Sequence, residues 1–296
     1  MSVVENTNSF ARYVVITPVR DEEEHLEETI KSVVNQTIRP AEWMIVDDGS
    51  TDQTPKIIDK YAANYPWIRA VHRTNRGYRK SGGGVVDAFN DGYQALLSHD
   101  WEYVVKLDGD LSFDPTYFER ILDCFKAEPA LGIAGGTLYS LHNGKMKVER
   151  NPRFHVRGAT KVYRRECWEQ IGGLWPAAGW DTIDETSACM RGWITRSAPD
   201  IAAFHHRATG GADGLWYDSV KHGRIWYVVG YHPLFVLASC FYRALHKPYL
   251  VRSVGGLYGF MHAYVTRVPR VSDSALIKFV RSQQIKRLMG HETIWK

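Results

Sequence analysis

The segment from Tyr103 to Leu107 is a short apolar run that ends abruptly in two carboxylates around a glycine, Asp108-Gly109-Asp110. A run of this length, bounded by a glycine-containing turn, is typical of a strand buried in a parallel sheet. Ligands of such sheets bind beyond the carboxyl ends of the strands. We therefore expect Asp108 and Asp110 to lie at a sheet edge where a cation and phosphate groups can meet.

Similar apolar runs recur before and after this one, with helical patterns between them. Further strands are predicted at 13–17, 43–46, 68–71, 132–138 and 160–164. Helices are predicted to open at 21–24 and at Pro55, and to cover 85–97 and 115–127. Pro18 is expected to break the first strand, and Asp114 to cap the last of these helices. The alternation predicts an α/β fold with a mostly parallel, Rossmann-like sheet flanked by helices.

The charge of the chain is divided unevenly. Residues 219–296 contain twelve Lys and Arg against Asp273 and Glu292, a net charge of +10, whereas residues 1–218 carry −6. We expect a catalytic domain over 1–218 and a helical, basic and aromatic region over 219–296. An excess of cations suits an anionic partner such as membrane headgroups, and equally a solvated surface. Nucleic acid is not an expected partner, because no recognisable binding module accompanies the charge.

The stretch 225–242 lacks a formal charge over 18 residues, which is long enough to span a membrane. Its middle is broken by His232-Pro233, and it is rich in Tyr and Trp, which favours an interface over a hydrocarbon core. We expect helices that pack in the core or in a homo-oligomer. A membrane-surface region is the next alternative, and a true span the last.

Two features indicate a cytoplasmic location. The four cysteines are far apart and form no metal-binding or redox pair, which is typical of free thiols in a reducing compartment. Residues 1–9 are polar and lack a charged start followed by an apolar core. Together with the basic C-terminal region, these features predict a cytoplasmic protein held peripherally at the inner face of the plasma membrane.

The acids at two strand ends suggest how a nucleotide could be bound. Mg²⁺ or Mn²⁺ on a nucleoside diphosphate needs only one or two protein carboxylates, because phosphate oxygens and waters complete the coordination. Asp108 and Asp110 provide that minimum, and a simple turn with exposed acids is the alternative. Asp47 and Asp48 could accept hydrogen bonds from a base or a ribose, while also shaping the turn at Gly49.

A basic, glycine-rich segment over 73–84 precedes a predicted helix. It could fold over a diphosphate through Arg76 and Lys80, or it could be a flexible basic loop. It is not a P-loop, because the Gly-Lys-Ser/Thr ending is absent.

These motifs resemble those of the family 2 glycosyltransferases over roughly residues 12–210. The segment from Ile16 to Glu23 is similar to the family's opening strand and turn, with Asp21 where Asn is usual. Val46-Asp47-Asp48-Gly49-Ser50-Thr51-Asp52 matches the nucleotide motif, and Leu107-Asp108-Gly109-Asp110 matches the metal motif. The segments 158–165 and 171–173 resemble the strand and helix before the acceptor site.

The resemblance implies a GT-A fold, an inverting reaction on a nucleotide-sugar and a divalent cation. The nucleotide-binding residues that it implies are Thr17, Pro18, Val19, Glu22, Asp47, Asp48, Arg76, Lys80 and Asp108. The metal ligands that it implies are Asp110, Asp108 and His205. For His205, a purely structural role is the alternative.

The resemblance also implies a catalytic base at the start of a helix that ends in glycine and an aromatic residue, here Gly192-Trp193. Counting back places the base at Asp181, which follows Trp180 rather than the usual Glu. Asp184 lies one turn further on and preserves an acidic pair with Glu185, so it stays open. Lys221 to Trp226 resembles the Gln-x-x-Arg-Trp motif of processive members with Lys in place of Gln, which argues against processive polymerisation.

The sequence therefore predicts a metal-dependent inverting glycosyltransferase that uses a UDP- or GDP-sugar and a glycan or lipid-linked acceptor. A sugar nucleotidyltransferase is one alternative, although its glycine-rich basic signature is absent after the first strand. A non-catalytic scaffold that binds nucleotide-sugars is another, suggested by Trp180 in place of Glu.

Overall fold

The computed structural model describes residues 12–78, 82–142, 145–149, 151–207, 214–246 and 250–295. The strands in these ranges are β1 (Tyr13–Val19), β2 (Glu42–Asp47), β3 (Ile68–His72), β4 (Tyr103–Leu107), β5 (Leu111–Phe113), β6 (Leu131–His142), β7 (Lys145–Val148), β8 (Thr160–Arg164) and β9 (Ile194–His205). The helices are α1 (Leu26–Val34), α2 (Thr54–Asn64), α3 (Gly83–Gln94), α4 (Tyr117–Ala127), α5 (Arg165–Ile171), α6 (Trp180–Met190), α7 (Leu215–Val229), α8 (Pro233–Ala244), α9 (Val251–Val265) and α10 (Ser274–Leu288).

The strands form one sheet in the order β3-β2-β1-β4-β8-β6-β9-β5, with β7 paired to β6. The first four strands run parallel to one another, and β9 runs parallel to β6. Strands β8, β5 and β7 are antiparallel to their neighbours. The predicted mostly parallel α/β sheet is confirmed, and the carboxyl ends of β1, β2 and β4 lie side by side.

The sheet is covered on both faces, as the continuous apolar strands predicted. Tyr13 and Val15 of β1 belong to a core that includes residues of α1, α2 and α4. Val14 and Ile16 face the other way, into a core that includes residues of α3, α5 and α6. Each large side chain removed from water in this way contributes roughly 1.5–3 kcal/mol.

Several predicted boundaries differ from the structure, and the contacts explain two of them. Pro18 does not break β1 but pairs with Val46 of β2. The pairing of β1 with β4 ends at Ile16, so Pro18 has one neighbouring strand and its missing N–H is tolerated. Helix α4 starts at Tyr117, and its cap is not the side chain of Asp114. The side chain of Gln36 accepts a hydrogen bond from Phe118 N at 3.0 Å and donates to Asp114 O at 2.8 Å.

The C-terminal region consists of α7 to α10. The helical structure is interrupted before Pro233, between α7 and α8, as predicted. Helices α7 and α9 are in backbone contact, because a Cβ on Gly223 would lie 1.9 Å from the carbonyl oxygen of Gly256. Helix α10 contributes to a small core with Ile183 of α6. Within the described residues, none of the helices combines the length and the apolar character needed to cross a bilayer.

Candidate active site

A cavity of about 560 Å³ opens where β1, β2 and β4 end. Its acidic lining comes from the turns after these strands and comprises Asp21, Glu22, Asp48, Asp108 and Asp110. Its cations come from distant parts of the chain and comprise Arg20, Arg76, Arg207 and Lys221. The start of α3 adds small residues, among them Gly84 and Ala88. A cavity of mixed charge and this size suits a metal-bound diphosphate with an attached group.

Asp110 and His205 form a buried pair at the base of the cavity. His205 Nε2 lies 3.1 Å from Asp110 Oδ2, and His205 Nδ1 lies 3.7 Å from Glu149 Oε1. Burial by itself would lower the pKa of His205, but Asp110 and Glu149 raise this pKa to about 9. Burial opposes ionisation of Asp110, yet the bond from His205 holds the pKa of Asp110 below its usual value. The carboxylate is therefore kept charged in a largely dry position.

The other oxygen of this carboxylate fits a divalent cation. Asp110 Oδ1 is buried and has no hydrogen-bond partner among the described residues. A buried carboxylate oxygen is seldom left unpaired, since that costs about 1–3 kcal/mol or more. No cluster of three or more His, Cys, Asp or Glu side chains in the described ranges could hold a metal alone. The protein would thus supply one or two carboxylates, and the donor phosphates and waters the remaining ligands.

Asp108 lies beside Asp110 but is already paired. Its Oδ1 accepts a hydrogen bond from Lys106 Nζ, which also donates to Gly158 O at 2.6 Å. Burial raises the pKa of Asp108, Lys106 opposes this rise, and the charge of Asp110 adds to it. His205 is engaged with Asp110 through Nε2, and its Nδ1 is also buried without a hydrogen-bond partner among the described residues. A protonated imidazole nitrogen is a donor, so of the three implied metal ligands Asp110 has the buried acceptor atom without a partner.

The turn after β1 lines the cavity and is hydrogen-bonded to the nucleotide motif at residues 46–52. Asp21 has a φ of 52°, which short polar side chains tolerate better than most. Its Oδ1 accepts a hydrogen bond from Thr51 N at 2.7 Å, and its N–H donates to Ser50 Oγ at 2.9 Å. Glu22 Oε2 accepts from Arg207 Nη2 at 2.7 Å. Burial and the charge of Asp110 raise the pKa of Glu22 to about 8, although Arg207 opposes the rise.

Asp47 and Asp48 have different surroundings. Asp47 Oδ1 accepts a hydrogen bond from Ser50 N at 2.8 Å, and its Oδ2 lies 3.3 Å from His72 Nδ1, so Asp47 shapes the turn. Asp48 lines the cavity and holds the guanidinium of Arg76 through both carboxylate oxygens. Arg73 also donates to Asp48.

Gly49 allows the basic segment to approach this turn. It has a φ of +75°, and a Cβ there would lie 2.4 Å from Asn75 Cα. A side chain at this position would push residues 73–78 away from the turn.

Four other nucleotide contacts were predicted. Thr17 does not line the cavity: it is fully buried, and its Oγ1 accepts a hydrogen bond from Trp43 Nε1 at 2.9 Å. Pro18 and Val19 do line it. Lys80 lies outside the described residues.

The two candidate bases both belong to α6 but differ in environment. Asp181 is partly exposed in the first turn, and its backbone carbonyl accepts a hydrogen bond from Lys161 Nζ at 2.7 Å. Asp184 is buried and accepts hydrogen bonds from Lys161 Nζ at 2.9 and 3.0 Å and from Tyr163 OH at 2.5 Å. Burial raises the pKa of Asp184 to about 6, while Lys161 opposes the rise. Neither side chain lines the 560 Å³ cavity.

Two buried lysines near the candidate site were missed in the sequence. Lys106 of β4 and Lys161 of β8 are paired in register, and their Nζ atoms lie 5.4 and 5.5 Å from the ring centre of Trp180. Trp180 therefore contacts both Lys106, which bonds Asp108, and Lys161, which bonds Asp184 of α6. The sequence pattern that could have identified Lys106 is a lysine inside an otherwise apolar strand. No sequence pattern could have identified Glu149, which lies near His205, because the sequence around it is polar and irregular.

The fold is of the GT-A type, and solved structures support this fold class. The mannosyltransferase PcManGT from Pyrobaculum calidifontis, in complex with GDP-Man and Mn²⁺, superposes with a TM-score of 0.58 at 17% identity, covering 88% of each chain. Staphylococcus aureus TarS 1-349 in complex with UDP-GlcNAc gives a TM-score of 0.54 at 16% identity, covering 95% of this chain and 92% of that one. At such identities the likeness shows the fold alone.

The family follows from the sequence match. The model of glycosyl transferase family 2 matches residues 14–177, more than half of the chain, so the protein belongs to that family. The cholesterol galactosyltransferase of Borreliella burgdorferi is 34% identical over 105 residues, 36% of this chain and 26% of that protein. The polyprenol monophosphomannose synthase of Mycolicibacterium smegmatis is 27% identical over 177 residues, 54% of this chain and 64% of that protein. The matches thus span less than two thirds of these relatives.

Proposed function

We propose that the protein transfers a sugar, with inversion, from a UDP- or GDP-sugar to a glycan or lipid-linked acceptor, and that the transfer requires Mg²⁺ or Mn²⁺. The observation that carries this proposal is the unpaired, buried oxygen of Asp110 in a cavity that also presents four cations. The complexes of PcManGT with GDP-Man and Mn²⁺ and of TarS with UDP-GlcNAc support donors of these two kinds.

In this proposal the diphosphate lies between Asp110 and the cations of the cavity. Arg207 and Lys221 would neutralise phosphate oxygens, because both line the cavity and neither is bound through two nitrogens to Asp48 as Arg76 is. A divalent cation held by Asp110, with Asp108 beside it, would supply charge stabilisation for the leaving diphosphate. Asp48 and Arg76 would contact the base and ribose, since they line the cavity at the end of β2.

Inversion requires attack on the anomeric carbon from the face opposite the departing diphosphate. The acceptor hydroxyl then loses its proton to a carboxylate on that side. We assign this role to Asp181, which is partly exposed and has a carboxylate that no described contact saturates. Asp184 is the weaker candidate, because Lys161 and Tyr163 occupy its oxygens. The positioning of both reactants supplies most of the rate in such a reaction.

We also propose that residues 1–218 form the catalytic domain, and that residues 219–296 hold the protein peripherally at the cytoplasmic face of the membrane. The basic excess of the second part supports attachment to an anionic surface. A homo-oligomer is the alternative use of that region.

A panel of UDP- and GDP-sugars incubated with the protein tests the proposal. Slow release of nucleoside diphosphate from one donor with Mn²⁺, and none with EDTA, is the expected result. Binding of a donor without turnover, even with acceptor glycans present, would instead indicate a scaffold. Formation of a nucleotide-sugar from a sugar phosphate and a nucleoside triphosphate would indicate a nucleotidyltransferase.

A further inference from the structure

Two adjacent helices of the C-terminal region expose apolar side chains in helical register. On α8 the exposed positions are Leu234, Leu237, Phe241 and, just beyond its end, Leu245. On α9 they are Val254, Tyr258, Met261 and Val265. Spacings of three and four residues place each set along one face of its helix. Phe241 is 72% exposed and Val265 is 73% exposed, so neither stripe is covered by the described part of this chain.

The opposite faces of these helices are packed. Gly255, Gly256 and Gly259 of α9 are buried against α7, and Ser253 Oγ donates to Cys240 O of α8 at 2.7 Å. The stripes are therefore not the inner faces of loosely placed helices. Two neighbouring apolar stripes on a folded surface mark a contact site rather than scattered exposed residues.

The charge around the stripes indicates what covers them. Between residues 219 and 272 the sequence has seven Lys and Arg and no Asp or Glu. Arg252, Arg267 and Arg270 are exposed on or just after α9. A two-fold interface with a second copy would bring this uniformly basic surface against itself. An anionic lipid surface offers both the apolar layer and the opposite charge.

The dimensions favour a surface position. The fifteen residues of α9 are about 22 Å long, shorter than a hydrocarbon core of about 30 Å. The exposed Tyr242, Tyr258 and Tyr264 are of the amphipathic type that is enriched at the headgroup level.

We propose that the exposed faces of α8 and α9 form a docking surface for an anionic lipid bilayer. This surface specifies the peripheral attachment proposed above, on which the inference rests. Through its glycines α9 is in backbone contact with α7, and α7 supplies Lys221 to the donor cavity. Docking would therefore hold the cavity within about one helix layer of the membrane, where a lipid-linked acceptor is presented.

Sedimentation with vesicles tests the surface. The probes are phosphatidylcholine vesicles, with and without about 30% phosphatidylglycerol. The wild-type protein should bind the anionic vesicles at least about tenfold more tightly than the neutral ones. The double variant Val254→Asp with Met261→Asp should lose at least about tenfold in affinity for the anionic vesicles, because it places two charges in the apolar face.

A matched double variant controls for added charge and reduced hydrophobicity. Leu97→Asp with Met146→Asp alters two exposed apolar side chains in residues 1–218 and should bind vesicles as the wild type does. Both double variants should keep the wild-type thermal midpoint. Vesicle binding needs no donor, so it is independent of sugar transfer. Equal binding of anionic vesicles by both double variants would overturn the proposed docking surface. A wild-type dimer that dissociates in Val254→Asp with Met261→Asp, but not in the control variant, would overturn it as well.

Discussion

Asp181 and Asp184 lie one turn apart on α6, yet only one of them has oxygens available for chemistry. Asp184 neutralises Lys161, whose ammonium is fully buried and is also paired with Glu185 at 2.9 Å. Asp184→Asn would leave Lys161 with Glu185 as its remaining carboxylate and would weaken the charge-assisted hydrogen bonds that Asp184 accepts, which costs about 1.5–3 kcal/mol. Altering Asp181 should instead reduce sugar transfer without a large loss of stability, because its side chain is partly exposed.

The two aspartates should therefore respond differently to the same substitution. Asp181→Asn is expected to reduce sugar transfer at least about 100-fold, and to change the free energy of unfolding by less than about 1 kcal/mol. Asp184→Asn is expected to destabilise the protein by about 1.5–3 kcal/mol. Initial rates with the donor identified by the panel, and urea unfolding, measure the two effects. Full transfer by Asp181→Asn would remove it from the mechanism.

Residues that follow buried strands could be predicted from the sequence, because the carboxyl ends of parallel strands form a common edge. Asp48, Asp108 and Asp110 all line the cavity for that reason. Thr17 could not be excluded, because its contact is the indole of Trp43 on a neighbouring strand. The role of Asp184 depends on Lys161 and Tyr163, more than twenty residues earlier in the chain, and no local pattern reveals such a contact.

At the scale of elements, apolar runs identified β1 to β4, β6 and β8, but the sequence analysis gave no bounds for β5, β7 and β9. Element ends depended on distant partners. Helix α4 starts two residues later than predicted because Gln36, from the end of α1, bonds its first turn. The break between α7 and α8 was predictable, because Pro233 cannot continue a helix. The contact between α7 and α9 was not, because glycine spacing does not show which helix a glycine face will meet.

The α7–α9 contact should be sensitive to a single methyl group. Gly223→Ala would place its Cβ 1.9 Å from the carbonyl oxygen of Gly256, so the helices must separate. We expect a loss of about 2–3 kcal/mol in the free energy of unfolding, measured with urea. Gly290→Ala is the control, because its Cβ meets nothing within 4 Å and only the φ of +77° is unfavourable. A loss no larger than that of the control would show that the contact is not tight.

At the scale of the whole molecule, the acidic and basic parts of the chain share one cavity. Residues 1–218 carry −6 and provide the carboxylates, whereas the +10 region contributes Lys221 to the cavity and the exposed stripes of α8 and α9. Helix α10 also packs against α6, which carries the proposed base. The C-terminal region therefore lines part of the cavity and also carries the proposed docking surface.

We expect this cavity to bind a nucleoside diphosphate through a divalent cation on Asp110. Isothermal titration calorimetry of UDP and GDP, in Mn²⁺ and in EDTA, tests it with the wild type and with Asp110→Asn. The wild type should bind one nucleotide at least about tenfold more tightly with Mn²⁺, and Asp110→Asn should lose that difference while remaining folded, as judged by a cooperative unfolding transition above the assay temperature. Equal affinity of the wild type in Mn²⁺ and in EDTA would contradict the claim.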